Sequence, residues 1–216
     1  MTAHLKSPRA RVSNRGPLPR FVGVAPSPKA ADQVFPFSSI SELLVGLFLN
    51  WAQSVRHIAY EPREVVFDAT HGLPSVTGWP DFEVVLDGGE LEFVNAKYSE
   101  AGMRDDEREQ LHRFDAHCHA RGHRHRIIYR EFLERDGFIE TIALLRPYGS
   151  LTFRDEDIAG AVSILGGLPP TYLEGWEARA RDALLPLDLV YHLLYHERIP
   201  LRFRPLVHRS LRQCRE

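Results

Sequence analysis

The sequence predicts an α/β fold, with a mixed central sheet flanked by helices over about residues 34–148 and a small helical or winged-helix module over 149–216. Three observations carry this reading. An apolar helical period at 38–50 is followed by extended segments. Two strand-like runs, Phe82–Leu86 and Leu91–Lys97, flank the turn Asp87-Gly88-Gly89. After Gly149 only short helical periods remain. A chain of 216 residues is long enough to bury such a core.

Residues 1–33 hold Pro8, Pro17, Pro19, Pro26 and Pro28 among small and basic residues with no sustained period, so they read as a flexible arm. From 38 to 50, Leu43, Leu44, Leu47, Phe48 and Ile40 share one helical face, with Ser38 or Ser39 as the N-cap. Ile58, Tyr60 and Val65-Val66-Phe67 then read as extended chain, and 71–80 as a loop. The two runs around Asp87-Gly88-Gly89 form a β-hairpin. Leu111, Phe114 and Cys118 space a charged helix over 104–121, stopped by Gly122. Residues 126–129 are a short strand, and 132–145 a helix that should end at Arg146-Pro147. Beyond lie helices near 154–165, 174–183, 187–196 and 206–214, with 199–203 as a candidate β-wing.

Apolar residues at 44% and charged residues at 26% exclude a globally disordered chain. No apolar run approaches the roughly 18 residues of a membrane span. No signal-peptide pattern is expected at the basic N-terminus, and Cys118 and Cys214 are too few for a disulfide framework, so the expected location is the cytoplasm. Net charge is only −2, yet Lys6, Arg9, Arg11, Arg15, Arg20 and Lys29 crowd one end. Arg198, Arg202, Arg204, Arg209, Arg212 and Arg215 crowd the other. Arg202, Arg204, Arg209 and Arg212 are candidate DNA-phosphate contacts, or equally a protein surface.

The chemistry concentrates in four residues. Glu42 lies on the first helix, Asp81 opens a strand, and Asn95 and Lys97 sit two apart on the paired strand, hence on one face. A tight hairpin brings that face beside Asp81. Two carboxylates suit Mg²⁺, a hard cation that takes oxygen ligands and keeps waters able to meet a phosphate; Mn²⁺ is an alternative. Lys97 has the charge to orient an attacking water, Asn95 an amide oxygen for the cation, and Ala96 a backbone carbonyl.

Pro80-Asp81 followed by Asn95-Ala96-Lys97 resembles the PD-(D/E)xK, or restriction-endonuclease-like, superfamily. With Ser39-Ile40-Ser41-Glu42 on an apolar helix and Gly122 before Ile127-Ile128, residues 35–145 resemble the TnsA family of transposon-end endonucleases. That resemblance implies a Mg²⁺-dependent endodeoxyribonuclease that cuts the 5′ strands at the ends of a mobile element, alongside a DDE transposase and an AAA+ ATPase regulator. Asn95 departs from the superfamily pattern, which has Asp or Glu there. A nuclease-derived assembly or DNA-binding subunit, and a stand-alone restriction or repair nuclease, are the alternatives.

Each residue also has a plain reading. Glu42 suits the first turn of a helix through the helix dipole. Asp81 suits a turn after Pro80, and Lys97 a solvated strand end. His112, His117, His119, His123 and His125 surround Cys118, but their spacing does not gather zinc ligands on one helix face.

Overall fold

The computed structural model describes residues 21–60, 64–69 and 72–203. The chain divides into two compact units, 1–50 with 54–130 and 51–53 with 131–216.

The first unit opens with β1 (Gly23–Pro26) and β2 (Val34–Phe37), an antiparallel pair with Gly23 opposite Phe37. Residues 21–33 therefore correct the expected flexible arm, while 1–20 lie outside the described residues. The cause is buried polar and aromatic anchoring that proline content hides. Ser27 is fully buried and donates to Asn50 Oδ1 at 2.7 Å, and its hydroxyl pairs with that of Tyr60 at 3.1 Å. The Lys29 carbonyl accepts the Ile58 N–H at 3.0 Å. Phe35, also fully buried, stacks on Tyr60 at 4.3 Å.

Helix α1 (Ile40–Trp51) follows, then β3 (Val55–Ala59), the short antiparallel pair β4 (Val65–Phe67) and β5 (Val76–Gly78), and the hairpin β6 (Phe82–Leu86) and β7 (Leu91–Lys97). The hairpin turn closes with Gly89 N–H on Leu86 O at 2.8 Å. Gly89 takes φ +79°, a conformation that glycine adopts without steric cost. Helix α2 (Asp105–Ala120) then crosses over to β8 (Arg124–Tyr129), which pairs parallel with β7, as a parallel connection requires. Its end is sealed by Gly122 at φ +73°, with His123 N–H on Cys118 O and Gly122 N–H on His119 O.

The main sheet has the order β3-β6-β7-β8, antiparallel except for its last pair, so the fold is mixed α/β as the sequence predicts. Alternation along β7 sends Phe93 into a cluster with Phe67, Val76, Phe114 and Cys118, the face carrying α2 and the β4–β5 pair. Phe82 meets Tyr60 on the opposite face, where Phe35 lies against Gly46 of α1.

The second unit holds the short α3 (Arg130–Leu133, whose first residue belongs to the first unit), α4 (Phe138–Gly149), α5 (Asp155–Leu165), α6 (Leu173–Asp182) and α7 (Leu187–Tyr195). Leu145, Leu165, Trp176, Leu193 and Leu194 form its core. Because Leu145 packs there, residues 131–148 group with this unit rather than with the sheet, unlike the division expected at 148. Helix α4 also runs through Pro147, past its expected stop. Its last turn is held from α7, where ring nitrogens of His192 and His196 lie 3.0 Å from the Tyr148 and Gly149 carbonyls. The module is helical. At 199–203 there is a single bridge from Leu201 to Thr171 and no β-hairpin wing among the described residues. The helix expected near 206–214 lies outside them. No helix among the described residues is long and apolar enough to cross a membrane.

Two substitutions test this packing. A Cβ on Gly78 would lie 2.1 Å from the buried Phe114 ring, so Gly78→Ala should lower unfolding free energy by about 1–3 kcal/mol in a urea titration. Gly88→Ala, with no neighbouring heavy atom within 4 Å, should leave it nearly unchanged. Leu184 ends α6 at φ +55° with 92% of its surface exposed. Leu184→Gly should therefore raise stability by about 1 kcal/mol in the same measurement, relieving left-handed strain without losing packing.

Candidate metal centre

The β6–β7 ladder ends where Phe82 faces Val94, and the site is built just beyond that point. Asp81 N–H still reaches Val94 O at 2.9 Å. Two residues along β7, the Ala96 N–H points to the same side and donates to Asp81 Oδ2 at 2.8 Å. A strand residue directs its N–H and C=O towards the same neighbour, so the Ala96 carbonyl opens on this side too.

Asn95 lies on the α2 face of β7 and is 4% exposed. Its Nδ2 donates to the Trp79 carbonyl at 2.9 Å and to Asp81 Oδ2 at 3.3 Å, while its Oδ1 lies 3.0 Å from His125 Nε2. Reversing the amide would set its oxygen against two acceptors, so the network assigns this orientation and a proton on His125 Nε2. Asn95 thus presents nitrogen to Asp81; its oxygen, the expected cation ligand, faces His125.

Asp81 is half-buried, and its carboxyl is pushed up from 3.8 to about 6. Burial is the main cause, and the negative charge of Glu42 adds to it. The Ala96 N–H, Lys97 and Asn95 act in the opposite direction. Among the described residues, Asp81 Oδ1 accepts no hydrogen bond.

Glu42 sits in the first turn of α1 and serves the helix start as well. Its carboxylate accepts the Ser38 N–H at 2.7 Å and the Ser39 hydroxyl at 3.1 Å, while Glu42 N–H donates to Ser39 Oγ at 3.1 Å. This is a variant of the capping box, with the return bond made to the N–H of Ser38 in place of that of the N-cap Ser39. The capped carboxylate still lies close enough to raise the Asp81 pKa, so the helix cap and the second charge of the site coexist in one residue.

Lys97 shares the α2 face with Asn95, and its ammonium is held at 2.5 Å by Glu107 Oε1 in the first turn of α2. Glu107 was not legible as a site residue. Asp105-Asp106-Glu107 reads simply as acids favoured by a helix dipole, and only the β7–α2 packing singles one out. His125 was likewise hidden in a histidine-rich run; the parallel register sets it opposite Phe93, two positions before Ile127 faces Asn95.

Among the other candidates, Arg202 is exposed and its N–H donates to Thr171 O at 2.9 Å, while Arg204, Arg209 and Arg212 lie outside the described residues. His117 is buried, with Nε2 against Pro74 O at 2.7 Å and Nδ1 against Arg121 at 2.9 Å. Among the described residues no group of three or more His, Cys, Asp and Glu converges as a metal cluster. The Asp81 carboxylate beside the charge of Glu42, with one oxygen of Asp81 turned to neither Asn95 nor Ala96, fits a hard cation that completes its shell with water and substrate oxygens.

The raised Asp81 pKa has a stability consequence. The folded chain holds this proton more tightly than the unfolded chain, so Asp81 costs stability as pH rises from about 4 to about 6, and the full cost remains above that range. A shift of this size corresponds to at most roughly 3 kcal/mol, reduced by the partial exposure of the group. Asp81→Asn should therefore gain stability over wild type at pH 7.5 and lose that advantage near pH 4, as read by urea unfolding at both pH values.

No protein-family model matches the chain, and no curated protein matches it either.

Proposed function

We propose that the chain is a divalent-metal-dependent DNA endonuclease with a restriction-endonuclease-like core. The observation that carries this is the juxtaposition, at one open strand end, of the Asp81 carboxylate, the charge of Glu42, the Ala96 backbone and Lys97 on the same strand. A mixed sheet in which the acid just precedes one hairpin strand and the lysine ends its partner supports this reading.

Glu42, Asp81 and the Ala96 carbonyl would hold Mg²⁺ or Mn²⁺. When bound, the cation would supply Lewis-acid stabilisation of charge developing on a phosphate and lower the pKa of water. The chain's own contribution is orientation. The Ala96 and Asn95 N–H groups aim Asp81, and Asp81 and Glu42 concentrate negative charge where a cation can offset it. Lys97 supplies a positive charge beside the scissile phosphate, able to orient the attacking water. The finer reading, cleavage of 5′ strands at transposon ends beside a DDE transposase and an AAA+ ATPase, rests on the resemblance of residues 35–145.

A second reading has two specific observations behind it: Lys97 is paired with Glu107 and the Asn95 oxygen faces His125, which suits an assembly or DNA-binding subunit that cuts poorly. Nicking of supercoiled plasmid and of mobile-element end DNA, with Mg²⁺ or Mn²⁺ and with or without partner proteins, separates the readings. Asp81→Ala and Lys97→Ala should each lower wild-type cleavage by about 100-fold or more. Equal, negligible cleavage by wild type and Asp81→Ala, with DNA or partner binding intact, would sink the nuclease and favour the assembly subunit. Cleavage of plasmid without any partner would favour a stand-alone restriction or repair enzyme.

A further inference from the structure

We propose that His125 is a positioning residue of this site: by donating from Nε2 to Asn95 Oδ1 it locks the Asn95 amide so that its nitrogen aims Asp81. This rests on the nuclease reading of Asp81. It assigns work to a histidine that the motif Asp81…Asn95-Ala96-Lys97 does not contain.

The geometry argues it in three steps. Asn95 is buried and has one acceptor and one NH₂ group, so whichever partner takes the oxygen decides what Asp81 meets. His125 takes the oxygen at 3.0 Å, leaving the NH₂ group for Trp79 O and Asp81 Oδ2. His125 is itself held on its other sides. Its side chain is 2% exposed and its ring meets that of Phe114 edge-on at 5.1 Å, while Asp115 Oδ1, 3.4 Å from Nδ1, accepts a hydrogen bond only when that nitrogen is protonated as well.

The consequence concerns the departure at Asn95. An aspartate there would face Asp81 as a second acceptor and would need a cation between them. With Asn95 turned by His125, Asp81 Oδ2 is bound by two N–H donors, and Asp81 is oriented before any cation arrives. The amide at position 95 then acts as a support for Asp81, and Glu42 and Asp81 alone supply the carboxylate ligands. Support of this kind, one step behind the ligands, typically changes metal affinity by roughly 10–100-fold when removed.

The test uses the full chain with His125→Leu, which keeps bulk and loses the donor, and His125→Gln, which keeps a donor. In ¹⁵N-labelled protein the wild type should show His125 protonated on Nε2 and Asn95 side-chain NH₂ protons protected from exchange. His125→Leu should lose that Asn95 protection while keeping its fold by circular dichroism, and should need about tenfold more Mn²⁺ for half-saturation in calorimetry. His125→Gln should restore both. The proposal is overturned if folded His125→Leu retains wild-type Asn95 signals and Mn²⁺ affinity, or if folded His125→Gln behaves as His125→Leu does. Should His125→Leu not fold, the wild-type tautomer decides, and a proton on Nδ1 alone overturns the proposal. If wild type binds neither Mg²⁺ nor Mn²⁺, the nuclease function falls, whereas the Asn95 and His125 signals still decide the positioning role.

Discussion

The hydrogen bond from the Ala96 N–H to Asp81 Oδ2 is the contact on which the rest of the site depends. Strand β6 begins too late to offer Ala96 a ladder partner, and a carboxylate takes the place of the missing carbonyl. A carboxylate accepting a backbone N–H is held in one orientation at little entropic cost, because the strand behind the donor is already fixed by β8 on its other side. The position of Asp81 is thus set by sheet register, and a one-residue slip of the hairpin would move Asn95 and Lys97 to the opposite face.

Around that bond, residues of ordinary structural value take on a second role. Glu42 caps the start of α1 through Ser38 and Ser39 and brings negative charge towards Asp81. Glu107 occupies a helix turn where the dipole favours acids, and holds Lys97. Asn95 satisfies the carbonyl of Trp79 and aims Asp81. Burial makes Asp81 costly to ionise, so the site carries an electrostatic strain that a bound cation would relieve.

The two units divide these tasks unevenly. Every contact described around Asp81, Asn95 and Lys97 lies within the first unit, while the second has its own core about Trp176, whose Nε1 donates to Pro200 O at 2.9 Å. Leu145 shows why the division escaped sequence reading: its helical period fits either unit, and only the tertiary structure places it in one buried cluster with Leu165 and Leu194. The same limit applies to the residues before β2, where proline content suggested a flexible arm and the buried hydroxyl of Ser27 determined otherwise.

Sequence alone determined what is periodic or local. Alternation gave the hairpin and placed Asn95 and Lys97 on one face, the apolar period following Ser38 and Ser39 gave the start of α1, and Gly122 gave the end of α2. Asp81, Asn95 and Lys97 were readable because a hairpin turns separation along the chain into proximity by simple counting. Tertiary structure decided which way the Asn95 amide points, which acid of α2 meets Lys97, and that His125 stands behind Asn95. Each of these depends on a crossover helix or a parallel strand whose register no local pattern encodes, and on which of two buried acceptors obtains a donor.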